Sequence, residues 1–329
     1  MQSPLFSQRV KWDITGTTEG LWNITDGKAG WCNLLEVSVE TGLWKGARLE
    51  TAAISTYNLG IPVAGDLQAF SCIDAGPDKA FRLVEAGIRQ NIGDKGSVYA
   101  GLRNIDMDHF TTPFTALFTN ASHGNFPILS ANFPLATYPL AALCLHTEFS
   151  PLPSLTFRES LYNGVASDRI NRQFRFCPRS EGMFNIGSLS YHIGEEDHHH
   201  GYYAVGYALG SSPSETSSDR TLIEQPFLHV GESHLGALLQ GGTSPASRST
   251  CRYYWGAGLV WSNITQKMIQ VGLVVNRAIY ADGRETDVEL TGSFPLCRHF
   301  TLQPAVHCIN TNGRYTAATQ LRAVVELGN

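Results

Sequence analysis

The pair of carboxylates that most invites acid–base chemistry is Glu285 and Glu289. Four residues apart on a strand, they share a face at roughly 13 Å separation, wider than the roughly 5–9.5 Å a hydrolytic pair requires. The run Glu195-Glu196-Asp197-His198-His199-His200 concentrates metal-ligating residue types. Adjacent histidines of an extended chain point to opposite faces and do not close on one ion, so the run reads as a solvated turn between strands. No GxSxG, HExxH, P-loop or Rossmann fingerprint occurs. The reading is therefore of a protein that is not an enzyme, holding no metal and no cofactor. What remains is a set of charges, Glu85, Arg89, Arg103, Glu148, Arg158, Asp287, Glu289 and Arg322, that recur where neighbouring residues alternate between apolar and polar.

That alternation defines the elements. Leu35, Val37 and Val39 alternate with Glu36, Ser38 and Glu40; Val271, Leu273 and Val275 alternate with Gln270, Gly272 and Asn276; Leu321, Ala323 and Val325 oppose Gln320, Arg322 and Glu326. Side chains of period two put one oily and one wetter face on each segment. Further strand-like runs lie near 9–24, 47–57, 79–91, 97–106, 141–150, 155–165, 183–193, 202–209 and 251–263, with a meander of long strands from 251 to the end. Asp26-Gly27, Gly93-Asp94-Lys95-Gly96, Asp282-Gly283 and Asn312-Gly313 are hairpin signals between them. Gly- and Ser-rich stretches at 210–218 and 241–250 read as longer loops. No amphipathic helix exceeds three turns, although 107–139 has room for a short one. No break in composition divides the chain, which reads as one domain over residues 1–329.

Composition narrows the class. The 329 residues are 43% hydrophobic and 10% aromatic, yet only 16% charged, where a soluble domain averages about 25%. A disordered chain would be more charged and less aromatic. A helical membrane protein would need apolar runs of roughly 20 residues, and Pro134 and Pro139 interrupt the most sustained one, 133–145. A net charge of −5 without a Lys/Arg cluster argues against a nucleic-acid partner. The seven cysteines include no CxxC pair, which argues against zinc ribbons and thioredoxin-like motifs, and their odd number leaves at least one sulfur unpaired. Residues 1–4 show no basic region followed by an apolar stretch, a pattern that a mature exported chain and a cytoplasmic one share.

Charges near the centres of long strands do not suit a soluble sandwich, whose second face would be core. A charged face inside and an apolar face outside is the pattern of a closed barrel in lipid. The bilayer offers no water to unpaired backbone groups, so such a sheet closes on itself. At roughly 20 residues per strand and loop, the length gives an all-β, antiparallel transmembrane barrel of about 16 strands, a size that leaves an aqueous channel. Trp12, Trp22, Trp31, Trp44, Tyr253, Tyr254, Trp255 and Trp261 then fall toward strand ends as interface girdles.

Two segments carry a resemblance. Ala86-Gly87-Ile88-Arg89-Gln90-Asn91-Ile92-Gly93 followed by Gly96-Ser97-Val98-Tyr99-Ala100-Gly101-Leu102-Arg103-Asn104, with Phe110, Phe114, Phe118, Asn120 and Gly124 after them, form one. Glu285-Thr286-Asp287-Val288-Glu289-Leu290 followed by Leu302-Gln303-Pro304-Ala305-Val306-His307 form the other. In this order and spacing the chain resembles the carbohydrate-selective porins of bacterial outer membranes over nearly its whole length. Ala305 and His307 depart from the family's Asp and Gln, and the chain ends in Leu327-Gly328-Asn329 instead of a terminal aromatic. The resemblance implies a roughly 16-stranded barrel in the bacterial outer membrane that admits glucose-like sugars by passive diffusion. Its partners would be outer-membrane lipid, small sugars as solute, and a homo-oligomer or outer-membrane partner proteins.

A sugar channel needs charged and amide groups that replace water on hydroxyls and aromatic faces that stack on C–H surfaces, with binding weak enough to release solute. The candidates for the lumen are Glu85, Arg89, Arg103, Asp106, Arg158, Tyr162, Glu285 and Glu289. Arginine forks pair with carboxylates and reach hydroxyls in bidentate fashion. The competing account is that these charges form cross-strand pairs that stiffen the wall. The stretch 107–139, with four prolines and six aromatics, is too long and apolar for an idle turn and is expected to fold into the pore or cap its mouth. The rival functions are a barrel with a plugged lumen that serves as a docking subunit, and a soluble β-sandwich that binds glycans.

Overall fold

The structure, a computed structural model, describes residues 10–60, 63–65, 67–74, 76–109, 112, 114–193, 201–212, 215–230, 233–245, 249–264 and 268–329. The strands follow the alternation. They are β1 (Lys11–Asn23), β2 (Ala29–Trp44), β3 (Ala47–Gly60), β4 (Lys79–Ile92), β5 (Gly96–Arg103), β6 (Ala142–Leu152), β7 (Leu155–Asn163) and β8 (Met183–Ile193). After them come β9 (Gly201–Ser212), β10 (Glu215–Val230), β11 (Ser233–Thr243), β12 (Cys251–Ile264), β13 (Ile269–Tyr280), β14 (Arg284–Cys297), β15 (Phe300–Thr311) and β16 (Arg314–Gly328). Each pairs antiparallel with its sequence neighbours, and β1 pairs with β16, so the ring is closed. Among the described residues no helix is long and apolar enough to cross a membrane.

The faces invert the rule of soluble proteins. Asp287, Glu289 and Thr291 on β14 are buried, while Val288 and Leu290 between them are 40% and 51% exposed. On β16, Gln320 and Arg322 are buried and Leu321 is half exposed. On β13 the outward row Val271, Leu273 and Val275 has no layer of the described residues over it, and Leu273 is 50% exposed. Burying carboxylates and displaying leucines is unfavourable in water and favourable where the outside is hydrocarbon and the inside is lined by polar groups. Trp12, Trp22, Trp31, Trp44, Tyr253, Trp255 and Trp261 are exposed on the outer surface. Tyr254 is the exception among the girdle candidates: bracketed by outward Tyr253 and Trp255, it points into the barrel and stacks on Phe126 at 5.1 Å.

Antiparallel succession puts alternate connections at the same end. One end carries tight turns such as 45–46, 93–95, 153–154 and 298–299. The other carries the β3–β4 loop (61–78), the β5–β6 loop (104–141) and the β7–β8 loop (164–182). The four hairpin signals all fall at connections, and Asn312 and Gly313 both take positive φ, 53° and 92°, as a type I′ turn requires. The Gly/Ser stretch 210–218 is not a loop: β9 and β10 run through it and leave only 213–214 between them, because small residues fit a barrel wall without an apolar alternation to announce them. At 241–250, β11 continues to Thr243. The 195–200 run, Phe110 and Pro113 lie outside the described residues. All seven cysteines are free.

Candidate functional site

The β5–β6 loop turns into the barrel. It contains three short 3-10 turns (Ile105–Met107, Thr115–Leu117, Ala121–His123) and a single-turn helix, α1 (Pro127–Ser130). Its apolar side chains make two cores inside the barrel. Ile105, Phe126, Ile128, Leu129, Phe133 and Leu135 pack with Tyr162, Phe184 and Tyr254 of the wall, and Phe114, Leu117 and Phe118 pack with Leu238, Val260 and Val274. Gly210, Gly236 and Gly272 let the phenyl rings of Phe133, Phe114 and Phe118 lie close against the wall, where a Cβ would collide with them.

Polar anchors fix the loop on the β11–β16 side. Glu289 accepts hydrogen bonds from the Thr119 amide (2.8 Å), the Thr119 hydroxyl (2.9 Å) and the Asn120 amide (3.1 Å). Asp287 accepts from the Asn120 side-chain amide at 2.7 Å and lies 3.0 Å from His307 Nδ1. Gln303 donates to the Leu117 carbonyl at 2.6 Å, and Gln240 to the His123 carbonyl at 2.8 Å. The β3–β4 loop docks beside it: the Cys72 amide donates to the Thr119 carbonyl at 2.8 Å and the Ala121 amide to the Ala69 carbonyl at 3.0 Å. Ser71 and Arg322 bond to fully buried Glu19, and Arg322 also reaches the Cys72 sulfur at 3.0 Å. The ligand-type atoms of Asp287, Glu289 and His307 lie within 4.8 Å of one another, close enough to share a cation. Glu289 and one oxygen of Asp287 are engaged by the loop's N–H and O–H donors, so the cluster works here as an anchor.

Opposite that anchor, the wall carries a ladder of charges. Glu50 accepts from Arg48 Nε at 2.6 Å and Arg89 Nε at 2.7 Å, and lies 3.2 Å from an Arg103 Nη. Arg103 bonds Glu85 and holds Asp108 of the loop through Nε at 2.5 Å and Nη at 2.9 Å. Arg103 and Arg89 stand over the Tyr99 ring, 4.6 and 5.4 Å from its centre. That ring crosses Gly87, where a Cβ would fall 2.4 Å from it. Beyond Asp108 the ladder turns to hydroxyls and imidazoles: Ser160 lies 2.7 Å from both His109 Nε2 and His146 Nδ1. Arg158 pairs with Glu148 at 2.7 Å. Asp108, His109, Phe126, Arg158, Ser188 and Tyr202 line a cavity between the loop and the β7–β9 wall.

Burial would raise the Asp108 carboxyl, but Arg103 holds it below the ordinary carboxylate range. Burial pushes the neighbouring His109 down to about 3, so this imidazole is neutral beside a charged pair. Asp106 sits inside the loop, taking both a hydroxyl bond from Thr137 and the Tyr138 amide at 2.9 Å, which tie the start of the loop to its end. Burial raises its carboxyl above the ordinary value in spite of those bonds.

Of the sequence candidates, the structure brings Glu85, Arg89 and Arg103 together and sets Arg158 on the cavity. Tyr162 is buried in the packing under the loop, and Glu289 is buried beneath Thr119 and Asn120. Glu285 stands apart, opposite Thr311 near the loop end. Sequence reasoning passed over Arg48, Glu50, Asp108, His109, His146 and Ser160. Glu50 and Arg48 occupy the same alternating face of β3 as Ala52 and Ile54, so the period-two pattern carried a signal for them. Asp108 and His109 lie in irregular chain, where no periodicity points inward.

No curated protein matches this sequence. Solved structures do. The chain is similar to the high-pH structure of Pseudomonas putida OprB, with a TM-score of 0.80 at 12% identity over 97% of this chain and 94% of that one. The low-pH structure of the same protein gives 0.65 at 14%, over 97% and 92%. An anion-selective porin from Comamonas acidovorans gives 0.63 at 11%, over 98% and 99%. Likeness at such identities establishes the fold, and the family is established by sequence: the description of the carbohydrate-selective porins of the OprB family matches residues 26–225. A closed barrel with polar lumen, lipid-facing leucines and an infolded loop, matched by that family over more than half its length, belongs to the carbohydrate-selective porins of the OprB family, channels of the bacterial outer membrane.

Proposed function

We propose that sugars of glucose size cross this barrel by passive diffusion along the charged ladder, between the β5–β6 loop and the β3–β9 wall, as one domain of residues 1–329 and with no chemical step. The observation that carries this reading is the continuous run from Arg48, Glu50 and Arg89 through Arg103 and Asp108 to the cavity at His109, Arg158 and Ser188. Paired charges present both donors and acceptors at fixed spacing, which suits hydroxyl-bearing neutral solutes better than ions of either sign. Phe126 and Tyr202 give that cavity the apolar faces on which a pyranose ring can lie. Swelling of liposomes carrying the protein, measured across a size series of sugars, tests it. Arg158→Ala is expected to slow or speed sugars several-fold while similar-sized amino acids change little. Equal effects on both solutes would reject the assignment of Arg158.

A second reading has its own support. The β3–β4 and β5–β6 loops bond to each other as well as to the wall, which is also how a plugged docking barrel would be built. Planar-bilayer recordings separate the two, since a plugged barrel inserts and does not conduct. A homo-oligomer belongs to the first reading: Glu159, on the outward face of β7, accepts from the Tyr207 hydroxyl at 2.9 Å and from the Asn185 side-chain amide at 2.5 Å in the midst of the apolar belt, where a neighbouring copy would shield it from acyl chains. The mass of the detergent-solubilised particle checks this.

A further inference from the structure

The β7–β8 loop carries four arginines, Arg169, Arg172, Arg175 and Arg179, and all are exposed. Among the described residues no carboxylate lies within ion-pair distance of any of them, since the two acids of the segment are already engaged. Asp168 pairs with Lys79 and faces Arg82 at 3.6 Å, and Glu181 accepts from the Asn163 amide at 2.6 Å. Interleaved with the arginines are Ile170, Phe174 and Phe176, 55%, 47% and 51% exposed. In plain water such aromatics have no reason to stand among unpaired cations.

The segment is held in place. It has two helical turns, α2 (Ile170–Gln173) and α3 (Pro178–Glu181), and α2 is fixed from below by buried Gln173, which donates to the carbonyls of Leu83 (2.8 Å) and Ser167 (2.9 Å). The Ser167 and Ala141 backbones pair, and the Cys177 amide donates to Asn163 at 2.9 Å. These tethers set the loop on the rim of the long-loop end, reaching β4 at Lys79 and Leu83. Between those two residues Phe81, 55% exposed, belongs to the lipid-facing belt. The arginine surface therefore adjoins the upper edge of that belt, the height at which headgroups of the outer leaflet lie.

We propose that this loop binds the net-anionic, phosphate-bearing headgroups of outer-leaflet lipids, with Arg169, Arg172, Arg175 and Arg179 on the phosphates and Ile170, Phe174 and Phe176 entering the acyl boundary. Guanidinium forks match phosphate oxygens, basic residues beside an anionic leaflet each contribute about fivefold in affinity, and exposed apolar side chains require a partner that is amphiphilic as well as anionic. The inference uses only the outer-membrane location and stands apart from which solute crosses the lumen.

The test uses the purified full chain in neutral detergent, titrated with mixed micelles containing phosphatidylglycerol or phosphatidylcholine and read by native mass spectrometry. Phosphatidylglycerol is expected to remain bound, phosphatidylcholine to be lost, and the Arg169→Gln/Arg172→Gln/Arg175→Gln/Arg179→Gln variant to bind phosphatidylglycerol at least tenfold more weakly. Arg172→Gln alone, a change too small to disturb folding, should weaken it about fivefold. Equal retention of the two lipids would overturn the proposal, as would unchanged binding by both variants. It also fails if inorganic phosphate displaces the lipid at matched concentration, or if the quadruple variant alters only the anion preference of the channel, since either result would assign the arginines to dissolved anions.

Discussion

Replacing Arg103 by Gln removes a cation that joins the wall to the β5–β6 loop through Asp108. Its side chain is 7% exposed, and the carboxylates around it, Glu50, Glu85 and Asp108, are 11%, 11% and 8% exposed, so solvent screens little of the loss. Three arginines, Arg48, Arg89 and Arg103, balance these three acids, and the substitution leaves two against three. Removing one partner from a buried charge group costs about 3–5 kcal/mol, most of it the burden of the carboxylates left behind. Asp108 loses both its bonds to the wall, so the cost falls on loop docking. An opening free energy lower by about 3 kcal/mol speeds amide exchange at 105–109 by roughly 150-fold, while exchange in β12–β16 stays slow. The same variant carries one extra negative charge at the ladder and should shift the zero-current potential toward cation preference in a salt gradient. Adding Asp108→Asn restores two against two and should return that potential to the wild-type value. A single variant with unchanged exchange and potential, or a double variant no closer to wild type than the single, would refute the view that Arg103 balances this cluster.

Glu289→Gln exchanges an acceptor-only group for one that offers the loop an N–H against the N–H of Thr119 or Asn120. Losing one or two of the three bonds costs about 1–3 kcal/mol, and single-channel currents should become noisier with larger open levels; unchanged current noise would mean the loop is held by packing alone. Acid should loosen the same loop from its other side. His109 is depressed to about 3 in the folded chain and takes a proton near 6.5 when released, so docking is strongest above about pH 6.5 and weakens by about 1.4 kcal/mol per unit as pH falls toward 3. Currents at pH 4 should therefore be less steady than at pH 7, and His109→Gln should remove the difference; a wild type equally steady at both would contradict the neutral imidazole.

The sheet was legible because its chemistry repeats. A period of two with carboxylates on the inner row and leucines on the outer row has few interpretations, and Asp287-Val288-Glu289-Leu290 states the inversion within four residues. Strands β10 and β11 were harder, since the Ser- and Thr-rich start of β10 and the adjacent apolar pairs Leu222-Ile223, Phe227-Leu228 and Leu238-Leu239 break the period of two. The site was legible only where it sits on strands. Arg89 and Glu85 announced themselves as charges within an alternating strand and Arg103 as the charge that ends one, whereas Asp108 and His109 depend on where an irregular loop turns. Glu289 shows the limit of the inference: its inward direction followed from the alternation, but its cover of Thr119 and Asn120 is a tertiary event that no local pattern encodes. Tyr254 failed for the opposite reason, since three consecutive aromatics, Tyr253, Tyr254 and Trp255, cannot all face one way.

The contacts that seat the two inner loops span most of the chain. Thr119 meets Glu289 and His307 at separations of 170 and 188 residues, and Cys72 meets Arg322 at 250. None of these can exist until the C-terminal strands have been added, and β1 in turn joins β16, the last strand made. Contacts so remote in sequence are the slowest to form. The hoop and its stopper are thus completed in one late event, so a chain cut short before β14 would leave 61–78 and 104–141 without their moorings and their greasy rings open to whatever protein meets them first.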